Sequence, residues 1–485
     1  MTSTDTRVAG RIEGVYRALA GTGLPVGLRA WDGSQAGPQG KPVIELGSPA
    51  ALRRLLWAPG ELGLAQAYVT GELDVDGDLA EGLRRVWATA GVGRRPRRGL
   101  GVRGSVRAFG AALRLGALGT RPTAPRTQAR LSGRVHSRSR DRAVISHHYD
   151  LSNEFYALLL DPSMAYSCAY WEPDAPRTPE GLAAAQRAKF DLICRKLQLR
   201  PGMRLLDVGC GWGGLLMHAA EHYGVTGVGL TLSTQQAAFI RERLAGTPYA
   251  DRVTVELRHF RDLPGSALAK ATGPFDAVST VEMGEHVGQE AYPVFTAVLR
   301  DALRPGGRVL VQQMSRAEDA APGGGPFIEA FIAPDMHMRP LRQTVGLWRG
   351  AGFEVLDTEV LGSHYVRTVD VWAANLEERW DEAVELVGLE TARVWRLYLA
   401  GGALAFEQGR MGVEQILAVK PGGAGVAGAA VVMQGAAGAR SGPVGSAAVN
   451  GAAGSAAVPE SAAVDGVGAV DGSAGRAGSV GVDGG

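Results

Sequence analysis

"LLDVGCGWGG", residues 205–214, sets an apolar run and an acid ahead of four glycines in six residues. An apolar run ending in a glycine-rich turn reads as a buried strand feeding a helix. The glycines fit two cofactor loops. Gly209, Gly211 and Gly214 match the G-x-G-x-x-G spacing that holds a dinucleotide pyrophosphate. Asp207, Gly209, Gly211 and Gly213 match a D-x-G-x-G-x-G loop that holds S-adenosylmethionine. Asp207 decides between them. A carboxylate two residues before the first glycine would repel a pyrophosphate, whereas it can accept a hydrogen bond from the amino group of S-adenosylmethionine. Trp212 sits inside the same loop and counts with it as a cofactor contact.

Working outward, "RLLDVGC", "GVTGVGLTL", "VTVELRH", "FDAVSTVEM" and "RVLVQQMS" read as strands. Helical patterns such as "TQQAAFIRERLAG" and "EAYPVFTAVLRDAL" alternate with them. That rhythm predicts an α/β fold with a doubly wound, Rossmann-like sheet and its ligand at the carboxyl ends of the strands; joined to the Asp207 loop, it fits the class I fold that binds S-adenosylmethionine. The second strand ends in "GVGLTLSTQQ", residues 227–236, without the acid that grips ribose hydroxyls in such sheets. Thr231, Ser233 and Gln236 are the neutral groups available for that contact. After the third strand, "HFRDLP" offers Phe260 and Arg261 to bracket an adenine, although Phe260 reads equally well as a core aromatic.

The chain has 485 residues, beyond one small core, and its 51 basic and 49 acidic residues nearly balance. Residues 6–90 read as a small α+β N-terminal domain with a lipid-binding or dimerisation role. Residues 91–142 hold fourteen arginines and a single acid, Asp141, and read as a linker. Residues 143–420 form the methyltransferase domain. Residues 421–485, rich in Gly, Ala, Val and Ser and without an aromatic, predict a disordered tail. Three scattered cysteines form no CxxC pair, which suits a reducing cytoplasm. His218 and His222 have metal-like spacing but no third ligand and no HExxH pattern, so no metal is expected. No apolar run spans a membrane. An anionic membrane surface is the natural partner of the arginine-rich stretch, at roughly 1 kcal/mol per basic residue. Nucleic acid is disfavoured because no stacked-aromatic RNA module accompanies it.

Further motifs carry a family resemblance. "HYDLSNEFY…LDPSMAYSCAYW", the glycine loop, "EMGEHVG" and "SHYVRTVDVW" resemble the cyclopropane fatty-acyl-phospholipid and mycolic acid cyclopropane synthases. "ELGLAQAYVTGELD" is similar to that family's N-terminal domain. The resemblance implies methyl transfer from S-adenosylmethionine to the cis double bond of an acyl chain in a phospholipid. It also implies a bound bicarbonate ion that deprotonates the resulting carbocation. Matching positions assign Cys168, Glu285 and Tyr365 to that ion, with His286 beside Glu285, and Tyr166 and Ser167 to the cofactor. Where the family has "LLHTI" this chain has "VLVQQMS", so Gln312 replaces a histidine. An amide can donate to an anion but cannot carry a proton.

Two products are open to such an enzyme, a cyclopropane or a 10-methylene precursor of branched chains. High-GC actinobacterial relatives make the second, and composition and Gln312 lean that way. The resemblance leaves room for a homodimer and for a separate reductase partner, and places the protein in the cytoplasm against the inner membrane face. Methylation of RNA or a small molecule, and a nicotinamide-dependent oxidoreductase, are the weaker alternatives.

Overall fold

The computed structural model describes residues 7–90, 110, 113–141, 144 and 152–422. The four arginines at 94, 95, 97 and 98, the motif residues His148, Tyr149 and Asp150, and residues 423–485 lie outside the described residues.

The N-terminal residues form a small sheet of β1 (Gly27–Arg29), β2 (Gln35–Ala36), β3 (Val43–Leu46) and β4 (Leu73–Asp76) in the order β2-β1-β3-β4. Helices Pro49–Trp57 and Glu61–Val69 lie between β3 and β4. Ser48 starts the first of these, its side chain accepting from the Ala50 amide at 3.2 Å with proline at the first helical position. Strand β4 falls within a stretch whose breaks at Pro59-Gly60 and Gly71 suggest only helices.

The larger sheet runs β10-β11-β9-β8-β5-β6-β7. Its strands are β5 (Arg204–Val208), β6 (Thr226–Thr231), β7 (Val253–Leu257), β8 (Phe275–Val281), β9 (Leu303–Arg316), β10 (Glu354–Val360) and β11 (Met411–Val419). Strands β7, β6, β5, β8 and β9 pair in parallel, and β11 inserts antiparallel between β9 and β10. The five strands read from sequence are the parallel ones. Strand order reverses between β5 and β8, which opens a crevice at their carboxyl ends.

Both sheet faces are covered, which explains the near-continuous apolar character of β5 and β8. Ile193, Leu216 and Ile240 pack on one face, from helices Pro179–Lys196, Gly214–Tyr223 and Thr234–Leu244. Phe295, Leu299 and Trp348 pack on the other, from helices Tyr292–Ala302 and Leu341–Gly350. Each such side chain, fully buried, contributes roughly 1.5–3 kcal/mol. A third, aromatic-rich cluster joins Tyr156, Trp171, Trp212, Trp372 and Trp395 beside the glycine loop.

One buried cation ties the small sheet to a helix of the larger domain. Arg393, on helix Leu389–Glu407, donates to the carbonyls of Tyr68 at 2.7 Å and Leu73 at 3.0 Å and to Asp74 at 3.1 Å. Its guanidinium also lies 4.2 Å from the centre of the Tyr68 ring. The described part of the arginine-rich segment makes fixed contacts. Arg140 pairs with Asp335, Ala129 N–H donates to the Ala330 carbonyl, and Arg54 donates to the Thr123 carbonyl.

Candidate active site

A cleft of about 1300 Å³, partly open to solvent, lies at the carboxyl ends of β5, β6 and β8. Its wall includes Asp207, Gly209, Gly211 and Trp212 from the loop after β5, Thr231 and Gln236 after β6, and Phe260 after β7. Tyr166, Ser167, Lys189, Glu282 and His286 line it as well. The structure therefore gathers most of the cofactor residues read from sequence. Gly213 and Ser233 stand behind the wall: Gly213 starts helix Gly214–Tyr223, and Ser233 caps helix Thr234–Leu244 through the Gln236 amide. Arg261 lies over the Phe260 ring and donates to the His136 carbonyl. Phe260 is 5 % exposed and makes an edge contact with Phe295, so it serves core and cleft together.

The residues fit S-adenosylmethionine. A methyl group added at Gly211 would project into open space with no protein atom within 4 Å, a cradle left for a ligand. Asp207 accepts from Ser279 Oγ at 2.8 Å and faces the cleft, and burial pushes its carboxyl up to about 7. Thr231 Oγ1 donates to Gln236 Oε1 at 2.7 Å, which fixes a neutral pair where the ribose acid is missing. Trp212 Nε1 donates to Asn153 Oδ1 at 2.8 Å and locks the indole against Tyr156, ring centres 4.7 Å apart.

Beside the glycine loop, past the end of β8, the sequence candidates converge on a residue that the sequence motifs did not single out. Glu282 Oε1 accepts from the Cys168 backbone amide at 2.8 Å and from Gln312 Nε2 at 2.9 Å. Its Oε2 accepts from the Tyr365 hydroxyl at 2.6 Å. Cys168 contributes its main chain; burial holds its thiol well above the usual range and hence protonated. The polarity of Gln312 follows from a chain of donors. The Lys196 ammonium can only donate, and it does so to Gln415 Oε1 at 3.0 Å. The Gln415 amide then donates to Gln312 Oε1 at 3.0 Å, which turns the Gln312 amino group towards Glu282.

Glu282 sits just past the end of β8 with φ +50°, a left-handed conformation costing a residue with a side chain roughly 1–2 kcal/mol. Burial raises its pKa, opposed by the bonds from Tyr365, Cys168 and Gln312 and by the Lys189 charge. Lys189, 1 % exposed, donates to Ser167 Oγ at 2.6 Å. Burial lowers its pKa to about 8, while Glu282, Asp161 and Asp207 help to keep it charged. Tyr166 covers this wall, donating to the Tyr398 hydroxyl at 3.2 Å and lying against Trp372 and Trp395.

Glu285 and His286 stand one short turn further on. His286 lines the cleft, and burial lowers its pKa to about 4, so it is neutral. Glu285 is fully buried, and its carboxylate faces the backbone amides of Glu285 and Met314 without a hydrogen bond of good geometry. Burial, reinforced by the Glu282 charge, pushes it up to about 8. Native Glu285 thus keeps a proton that the unfolded chain releases near 4.5, and stability present below that pH is lost as pH rises to about 8. Glu285→Gln is expected to flatten this dependence. Relative to wild type the variant gains a few kcal/mol between about pH 5 and pH 8, at about 1.4 kcal/mol per unit, in urea unfolding followed by circular dichroism. A gain that does not grow with pH would refute it. Asp207 and Glu414, each raised to about 7, leave a residual slope in both proteins.

Among the described residues no group of three or more His, Cys, Asp or Glu could hold a metal ion, and no helix is long and apolar enough to cross a membrane. His218 is bound to Asp191 at 3.0 Å.

Sheet order, glycine loop and cleft define a class I S-adenosylmethionine-dependent methyltransferase. A solved structure of the mycolic acid cyclopropane synthase CmaA1, complexed with SAH and CTAB, superposes with a TM-score of 0.53 at 33% identity, over 57% of this chain and 98% of that one. The family model for mycolic acid cyclopropane synthetase matches residues 136–416, and the chain belongs to that family. It is 37% identical over 403 residues to a Mycobacterium tuberculosis protein described as a probable fatty acid methyltransferase, spanning 82% of this chain and 91% of the relative. It is 36% identical over 273 residues to the cyclopropane-fatty-acyl-phospholipid synthase of Escherichia coli, over 56% of this chain and 66% of that one.

Proposed function

We propose that the protein methylates the cis double bond of an unsaturated acyl chain carried by a phospholipid, with the 10-methylene chain as the favoured product over the cyclopropane. Bound S-adenosylmethionine supplies an electrophilic methyl group. An alkene is a weak nucleophile, so Asp207, the glycine loop and Trp212 must hold the donor in line and close. The carbocation that forms within the chain needs an apolar site shielded from water. The observation that carries this reading is the aromatic wall at the cleft, where Tyr166 is backed by Trp372 and Trp395 at ring separations of 5.3 and 5.9 Å. Aromatic faces stabilise a nearby cation by about 0.5–2 kcal/mol each without offering it a nucleophile. The named substrates of the relatives point the same way. For the methylene outlet, support comes from Gln312, a neutral amide where the family resemblance has a protonatable histidine.

Contact with an anionic membrane surface through the arginine-rich segment belongs to this proposal, since the substrate lies in a bilayer. The test is expression in cells whose phospholipids carry monounsaturated chains. Acyl chains one CH₂ heavier are expected by mass spectrometry, with exocyclic methylene protons by NMR. Unmodified acyl chains beside a purified protein that binds S-adenosylmethionine would refute the lipid assignment. Cyclopropane protons would refute the methylene product alone.

A further inference from the structure

The reaction needs a base close to the new cation, and the resemblance assigns that task to a borrowed bicarbonate ion. The residues do not fit such an ion. The Cys168 amide, the Gln312 amino group and the Tyr365 hydroxyl all point at one place, and the Glu282 carboxylate already fills it. An ion entering there would lose all three donors to Glu282 and meet a second negative charge.

We infer that Glu282 is itself the base of this reaction, a carboxylate built into the chain at the position where a free anion would otherwise bind. The inference rests on the acyl-chain reading above. Its geometry is that of a held base. Oε1 takes two donors and is saturated, while Oε2 takes only Tyr365 and keeps a lone pair, on a residue that lines the cleft. The buried Lys189 ammonium keeps the group anionic without being hydrogen-bonded to it in place of a substrate proton, because its bond goes to Ser167.

The step balances without a co-reactant. For the methylene product, hydride moves from the methylated carbon to its cationic neighbour, which relocates the charge. A C–H bond of the new methyl then breaks, its electron pair forms the exocyclic double bond, and the proton passes to Glu282 Oε2. For the cyclopropane the same C–H pair closes the ring. In both cases Glu282 becomes a neutral acid and returns its proton to water when product leaves.

The backbone points the same way. Glu282 holds a left-handed conformation that glycine adopts freely, yet carries a long side chain there. Glu282→Gly relaxes that conformation and leaves three converging donors around a hole of carboxylate size. This makes the test one of replacement. Vesicles of dioleoylphosphatidylglycerol and S-adenosylmethionine are supplied in carbonate-free buffer, with and without added bicarbonate or formate. The wild type is expected to form product at the same rate in all three conditions. Glu282→Gly is expected to lose at least about 100-fold in rate, as for removal of a general base, while retaining S-adenosylhomocysteine affinity. Bicarbonate or formate should restore part of that rate, which a merely structural role would not allow. Glu282→Gln, which fills the hole with a neutral amide, should stay inactive whatever is added.

A wild type that requires bicarbonate, or a Glu282→Gln variant of full rate, would overturn the inference while the methyl transfer stands. A wild type that leaves the acyl chains untouched under every condition would overturn the acyl-chain reading itself, and this inference with it.

Discussion

Gly209→Val is expected to abolish S-adenosylmethionine binding, with no heat of binding by calorimetry at concentrations that saturate the wild type. Gly209 has φ +81°, and a Cβ there would lie 2.8 and 2.9 Å from Met283 Cγ and Cβ. Backbone strain adds about 1–2 kcal/mol and overpacking about 1–3 kcal/mol. Met283 cannot yield freely, because it directly follows Glu282, whose carboxylate is held at three points. The substitution therefore disturbs both the glycine loop and the segment that carries Glu282. Gly211→Ala separates ligand contact from packing. Its Cβ meets no protein atom within 4 Å, at φ +53°. The variant should fold with a modest loss of stability and still bind S-adenosylmethionine at least about tenfold more weakly, at 1.4 kcal/mol per decade. Wild-type affinity in Gly211→Ala would mean that the cofactor does not approach this loop.

Lys189→Met is expected to cost at least about 100-fold in kcat/KM at neutral pH and to move the acid limb of the pH–rate profile upward. Lys189 is buried, and its charge lowers the pKa values of both Glu282 and Asp207. Methionine keeps the apolar stem and removes the ammonium. Without it, desolvation is opposed only by the hydrogen bonds to each carboxylate, and both pKa values rise further. Protonated Glu282 cannot take a proton, and protonated Asp207 no longer offers a carboxylate to the cofactor amino group. Raising the pH restores both ionisations, so the variant should recover part of its rate in alkaline buffer. A uniformly reduced profile with an unmoved limb would show that Lys189 acts through packing and its bond to Ser167.

Both predictions turn on residues that differ in how openly the sequence displays them. The glycine loop and five strands were legible because apolar runs and left-handed turns leave local signatures. Strand β11 was not, since Glu414 and Gln415 sit in its middle at 6 % and 0 % exposure. Two polar residues in a nine-residue run disguise a central strand as an edge or a loop. In "EMGEHVG" the resemblance drew the eye to Glu285, while the first residue past β8 is Glu282. The rule that ligands bind at the carboxyl ends of parallel strands was enough to single it out. Lys189 also left a trace. Leu182, Ala185, Gln186, Lys189, Phe190 and Ile193 fall on one helical stripe, and a lysine within an apolar stripe needs a partner. What no local pattern could give is the convergence of residues 168, 282, 312 and 365, which only the folded sheet brings together.

The position of β11 has a consequence for how the molecule is made. Among the described strands it is the last to leave the ribosome, yet it belongs inside the sheet, with β9 on one side and β10 on the other. Until it docks, both neighbours present open hydrogen-bonding edges, the kind of surface that recruits strands from other chains. The same strand brings Gln415, whose amide is oriented by Lys196 and, with the Cys168 carbonyl, turns the Gln312 amino group towards Glu282. Closure of the large sheet and assembly of the reactive centre are thereby completed by one event, the insertion of residues 411–419 into a gap held open for them.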